Sequence, residues 1–136
     1  MKANVAFILA IIVLLTFFST GGAGQEKALS VSEEVEQIKN MGISHVDPAT
    51  VPDGEYVGEF PFRENYRYRV RVTVKSGRIV TIEVLENGTE NQYAQKGLGV
   101  VPRMMEKQSP RVDAITGATV TSKVLMKCVE RALSPK

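Results

Sequence analysis

The 136 residues contain one cysteine, one histidine and no tryptophan. A lone Cys128 excludes an intramolecular disulfide framework and a thiolate metal cluster, and a lone His45 leaves a histidine-based metal site without ligands. Charge of one sign is also lacking: 17 Lys and Arg against 15 Asp and Glu give a formal net charge of +2. With no basic excess to neutralise a phosphate backbone, no nucleic-acid partner is expected. The chain further lacks the acid/base constellation that a stand-alone enzyme displays. The hydrophobic content of 43% and charged content of 24% are ordinary for a folded domain, and the length suits one domain with its own core.

What is present is most biased at the amino terminus. Met1-Lys2 is followed by VAFILAIIVLLTFF, an apolar run from Val5 to Phe18, and then by the small and polar STGGAGQ. A run of about 14 residues suits a signal-peptide core and is short for a membrane span of about 18 or more. Gly21 and Ala23 offer small residues for cleavage after Ala23, while the hydroxyl and small flanks also allow a retained anchor. Either form delivers the remainder outside the cytoplasm: periplasmic, secreted, or held on the outer side of the cytoplasmic membrane. Acylation as a lipoprotein is excluded, since the only cysteine lies near the opposite end.

The chain divides into residues 1–24, a signal peptide or membrane anchor; 25–52, a helical lead-in and linker; and 53–136, the main domain. Ser30-x-x-Glu33 has the form of a capping box opening a helix with Val31, Val35 and Ile38 on one side, ended by Gly42. ISHVDPATVPDG, with its two prolines, is an extended connection. From Tyr56 the apolar and small residues alternate as Tyr56, Gly58, Phe60 and Phe62, then as Tyr66, Tyr68, Val70, Val72 and Val74 against Arg67, Arg69, Arg71, Thr73 and Lys75. After Ser76-Gly77 they return as Val80, Ile82 and Val84, so an antiparallel meander of about three strands is expected. Gly97 and Gly99 interrupt any helix begun at Tyr93, and PRMMEKQ reads as a short helical turn with Pro102 at its first position. RVDAI reads as a short strand. Val120, Val124, Leu125, Cys128, Val129, Ala132 and Leu133 then fall on one helical face. The fold class expected is α+β, a small antiparallel sheet packed against helices.

Ahead of that last helix stands DAITGATVTS, from Asp113 to Ser122. Capping accounts for one hydroxyl, and Thr119, Thr121 and Ser122 are each placed to supply it. It leaves unexplained why Gly117-Ala118 sits between Thr116 and Thr119, where small side chains open room for a bulky group beside an accessible hydroxyl. Free amides and the positive end of a helix dipole suit a phosphate there, the dipole alone contributing about 0.3–1 kcal/mol.

Asp113-Ala-Ile-Thr116-Gly117-Ala118-Thr119 resembles the Asp-x-x-Ser/Thr-Gly-Ala-Thr flavinylation motif of the FMN-binding domain family, which includes flavin-carrying subunits of the sodium-translocating NADH:quinone oxidoreductase and Rnf-type complexes. DGEYVGEF (53–60) resembles that family's opening strand, VRVTVKSGRIVTIEVLENGTE (70–90) its hairpin, and VTSKVLMKCVERAL its closing helix, in the same order. The resemblance implies that residues 53–136 form an FMN-binding domain. It implies FMN joined to Thr119 by a phosphodiester bond, with an FAD- and Mg²⁺-dependent flavin transferase as the maturation partner. Asp113 would serve recognition by the transferase, Thr116 the phosphate or the turn, and Gly117 and Ala118 the space around the ester. Tyr93, Gly97, Leu98 and Gly99 lie where family members wrap the flavin ring. The implied role is an exported electron-transfer flavoprotein working with membrane or extracytoplasmic redox partners; the alternative is the flavin-bearing subunit of a multi-chain extracytoplasmic reductase. Arg67, Arg69 and Arg71 form either a solvated sheet face or a docking surface for an acidic partner.

Overall fold

The computed structural model describes residues 30–62, 66–88 and 91–134. The signal or anchor segment read from the sequence lies outside them. Helix α1 (Val31–Lys39) comes first, followed by a 3-10 turn (Pro48–Thr50) in which the Asp47 side chain accepts from the Ala49 amide. Strands β1 (Gly54–Phe62), β2 (Tyr66–Lys75) and β3 (Arg78–Asn87) form one antiparallel sheet in the order β1-β2-β3. Helices α2 (Gln92–Gly97), α3 (Val100–Lys107) and α4 (Thr119–Leu133) complete the domain. α4 lies across β1 and β2, while α1, α2 and α3 pack against α4. This is the α+β architecture that the alternation and the final amphipathic run imply.

The core is the shared surface of sheet and helix. Tyr68, Val70, Val72 and Val74 of β2 face Val124, Leu125, Cys128, Val129, Ala132 and Leu133 of α4, all of them buried. Burying each of the larger apolar side chains is worth about 1.5–3 kcal/mol, so this interface supplies most of the domain's stabilisation. The buried stripe on α4 is wider than the apolar face expected from the sequence, because Thr121, Ser122 and Met126 are buried as well. At the β2–β3 turn both Ser76 and Gly77 adopt positive φ, 53° and 74°, as a tight two-residue hairpin requires, and Asp53 accepts the Ser76 amide at 2.8 Å.

Four local expectations are corrected. Val80 is 46% exposed and Ile79 takes the inward position, because a register shift between Thr73 and Val74 inserts an extra residue into β3. Tyr66 is exposed although it continues the alternation of β2. α3 begins at Val100, so Pro102 stands third; a third-position amide has no intrahelical acceptor, and proline loses nothing there. Arg111–Ile115 is irregular, not a strand, and its backbone is held by side chains described below.

β3 is an edge strand, and Gln108 closes part of its open side. Its carboxamide accepts from the Ile79 amide at 2.7 Å and donates to the Ile79 carbonyl at 3.1 Å and the Met105 carbonyl at 2.8 Å. The side chain thus stands in for a neighbouring strand. Gln108→Ala should lower stability by about 1–3 kcal/mol, since it strands partly buried backbone groups. Gln108→Glu keeps one acceptor and loses the donor. A urea midpoint for Gln108→Ala equal to that of the parent chain would exclude the clamp.

Candidate functional site

The loop ahead of α4 is shaped from several directions. Arg103 on α3 donates from its guanidinium to the Asp113 carbonyl at 2.9 Å and the Ala114 carbonyl at 3.3 Å. The Ile115 amide donates to Ser122 Oγ at 3.0 Å, and the Ala118 amide to the Ile115 carbonyl at 2.9 Å. Gly117 then turns the chain with φ 84°, in the left-handed region that glycine enters freely. A Cβ at Gly117 would stand 2.8 Å from Lys96 Nζ, so the ammonium of α2 rests directly on this turn.

α4 begins at Thr119 with Ala118 in the cap position and no side-chain cap. The first intrahelical bond is Ser122 amide to Ala118 carbonyl, which leaves the amides of Thr119, Val120 and Thr121 ahead of it. Two of the expected caps, Thr121 and Ser122, are buried within the first turns. Ser122 spends its oxygen on the loop, and Thr121 shares a side-chain hydrogen bond with Tyr68. The helix end is therefore open, positive and next to a lysine.

It opens into a cleft of about 480 Å³ lined by Gly117 to Thr121, Phe62, Tyr68, Asn91, Tyr93, Val35 and Lys39. That volume is in the range of small-molecule sites, about 300–1,000 Å³. Phe62 and Tyr68 meet edge to face with ring centroids 6.3 Å apart, and Tyr93, 56% exposed, stands at the mouth. Burial raises the Tyr68 phenol above its ordinary value, against the opposing effect of the Thr121 hydrogen bond. The phenol stays neutral near pH 7 and offers a polar edge in an otherwise aromatic wall.

Of the residues singled out in the sequence, Gly117, Ala118, Thr119 and Tyr93 line this cleft. Thr119 is partly exposed, whereas Thr116 and Asp113 are exposed on the loop outside the lining. Gly97 and Gly99 are packing positions: a Cβ would lie 2.4 Å from Thr121 Cγ2 at the first and 3.0 Å from Ile115 Cδ1 at the second. Leu98 packs against the core. Phe62, Tyr68, Lys39 and Lys96 were not read as site residues. The two aromatics were legible only as inward strand positions, and nothing local marks either lysine.

Residues 65–134 match the FMN-binding domain. The chain belongs to this family. It is a flavin-binding protein, and the cofactor is FMN. An uncharacterized protein of Treponema pallidum (strain Nichols) is 32% identical over 87 residues, which cover 63% of this chain and 24% of that protein. The chain thus spans about a quarter of that relative's length. No solved structure matches. The residues around the cleft fit the cofactor in kind: Phe62, Tyr68 and Tyr93 suit a flat aromatic ring, and the free α4 amides with Lys96 suit a phosphate.

The remaining candidates find other employment. Arg67 and Arg69 approach Glu59 at 3.6 and 2.9 Å, Arg69 also meets Glu86 at 3.1 Å, and Arg71 pairs with Glu83. The arginine stripe is thus a charge-balanced sheet face. Met104 is fully buried in the core, and His45 Nδ1 lies 2.8 Å from Ser109 Oγ. Cys128 is buried, and that burial pushes its thiol up to about 12 from 9.0, with Arg131 lowering and Glu59 raising it. The folded state therefore holds this proton more tightly than the unfolded chain. The stabilisation is fully present below pH 9 and is lost as pH rises toward about 12, at a limiting slope of about 1.4 kcal/mol per pH unit for one site. Native protein at pH 8 should leave a thiol reagent unreacted until denaturant is added. Cys128→Ala should flatten the alkaline loss of stability, and a slope unchanged from the parent would refute the assignment.

Proposed function

We propose that the chain is an exported electron-transfer flavoprotein whose FMN is joined covalently to Thr119 through a phosphodiester bond. The observation that carries this reading is the position of Thr119: a partly exposed hydroxyl at an uncapped helix start, flanked by Gly117 and Ala118, at the edge of the aromatic cleft. When bound, FMN supplies reversible electron transfer. The protein's residues hold and orient it. In the attachment step Thr119 Oγ1 loses its proton and forms the ester bond to the flavin-side phosphorus of FAD, with AMP leaving, so the donor diphosphate bond is the one broken. The α4 amides and the Lys96 ammonium offset charge on that phosphate, while Phe62, Tyr68 and Tyr93 offer the ring an apolar surface. Covalent retention suits a carrier outside the cytoplasm, where a dissociated cofactor is lost. Membrane or extracytoplasmic redox partners complete the role.

The test is to export the chain in the presence of a flavin transferase, then record intact mass and visible absorption of the denatured, desalted protein. One added FMN moiety is expected. An unmodified mass, where a control acceptor protein in the same cells is modified, would overturn the proposal.

A further inference from the structure

One side of the cleft comes from sequence outside the matched domain. α1 (Val31–Lys39) lies wholly ahead of residues 65–134, yet Val35 and Lys39 line the same space as Thr119 and Tyr68. Val31, one turn earlier on the same helical edge, is 52% exposed and extends that apolar edge past the lining. Lys39 has a loose partner in Glu36, 3.8 Å away and exposed, which leaves its ammonium available at the rim.

The segment that follows α1 is also held by the helix that carries Thr119. Lys123 Nζ donates to the Met41 carbonyl at 3.0 Å and Lys127 Nζ to the Gly42 carbonyl at 2.9 Å, while Glu130 accepts the Ser44 amide. Lys127 and Glu130 are themselves paired at 2.7 Å, with side chains only 16% and 13% exposed. These three residues recur at intervals of four and three, on one stripe of α4. Ile38 ahead of the strapped segment and Ile43 within it are both buried and anchor the chain there. The strap thus fixes the segment that leaves α1 along the middle of α4, and α1 itself packs on the same helix.

We infer that α1 is a wall of the flavin site: Val35 shields the bound cofactor from water, Lys39 adds positive charge at the rim, and the Lys123, Lys127 and Glu130 strap keeps the wall closed. The inference rests on the attachment of FMN at Thr119. It makes solvent access to the flavin a property of residues ahead of the family domain.

The experiment uses the full flavinylated chain and a neutral quencher, acrylamide, acting on flavin fluorescence. Val35→Ser opens the wall directly, and Lys127→Met releases the strap without touching the cleft. Sites of this kind cover about 70–90% of a ligand's surface, so removing one side should roughly double the exposed fraction and raise the quenching constant about twofold in each variant. Val35→Leu should stay at the parent value. Intact mass is recorded in parallel, and both opening variants are expected to keep the covalent flavin. A parent chain carrying no flavin overturns the attachment reading and this inference with it. A loaded parent whose quenching matches both Val35→Ser and Lys127→Met overturns the inference alone. Because one variant alters the wall and the other the strap, a folding defect in either, seen by circular dichroism, leaves the other to decide.

Discussion

Thr119→Ala is expected to emerge from flavin-transferase co-expression with no added flavin mass and no visible absorption after denaturation, whereas Thr119→Ser keeps both. The effect is all or none because the four hydroxyls of this segment are not equivalent. Thr121 and Ser122 are buried, the first bonded to Tyr68 and the second accepting the Ile115 amide, so neither can meet a second enzyme's substrate without unwinding the helix. Thr116 is exposed but outside the cleft lining. Thr119 alone of the four combines access with the cleft. Serine keeps the oxygen and loses only a methyl group, so the comparison separates the hydroxyl from the packing. Retention of the full flavin mass by Thr119→Ala would move the ester to another residue and remove the basis of the proposed function. Lys96→Ala should slow loading without abolishing it, because one charge beside a phosphate is worth only a few-fold to tenfold at a partly exposed site.

The sheet was legible because the side-chain period of a strand is two, and Tyr68, Val70, Val72 and Val74 obey it without interruption. β3 was harder to read. Ile79-Val80 and Val84-Leu85 each place two apolar residues in succession, so alternation cannot tell which faces inward, and the bulges decide it by inserting one residue at each step. α4 was legible as a stripe but not in its first turn. Threonine and serine ahead of a helix usually cap it, yet here the chain enters through Gly117-Ala118 and the helix begins at Thr119, which carries both hydroxyls into the buried face. The cleft was half legible for a related reason. Gly117, Ala118 and Thr119 announce themselves by local sequence, whereas Lys96 reaches Gly117, and Val35 reaches the same cleft, only through packing between distant parts of the chain. A capping-box pattern marks a helix at α1; it carries no mark of what that helix will stand beside.

The second large effect expected is at Gly58, on the fold itself. Gly58 faces inward from β1, opposite Val70, and a Cβ there would stand 1.8 Å from the Cys128 carbonyl oxygen and 2.8 Å from the Ala132 amide nitrogen. These two atoms are four residues apart on α4, the positions that an intrahelical hydrogen bond joins, so the contact is strand against helix backbone with no side chain able to give way. Its backbone is not in the left-handed region. An alanine in open space there would therefore stabilise the protein by about 0.4–1 kcal/mol through the unfolded state. Steric exclusion reverses that sign. Accommodating one methyl group means lifting α4 from the sheet, and with it the packing of Leu125, Cys128, Val129 and Ala132. Gly58→Ala should cost more than the ~1–3 kcal/mol of ordinary overpacking, a large part of the ~5–15 kcal/mol that holds a domain together, and Gly58→Val should not fold. Gly42 is the control, because nothing lies within 4 Å of its added Cβ; Gly42→Ala should be neutral or mildly stabilising. Urea midpoints for the two alanine variants make the comparison, and a Gly58→Ala chain as stable as Gly42→Ala would mean that sheet and helix do not approach as closely as the Gly58 contact requires. The same displacement would carry Thr119 away from Phe62 and Tyr68, so any folded remnant of Gly58→Ala should load flavin poorly even though its acceptor segment is intact.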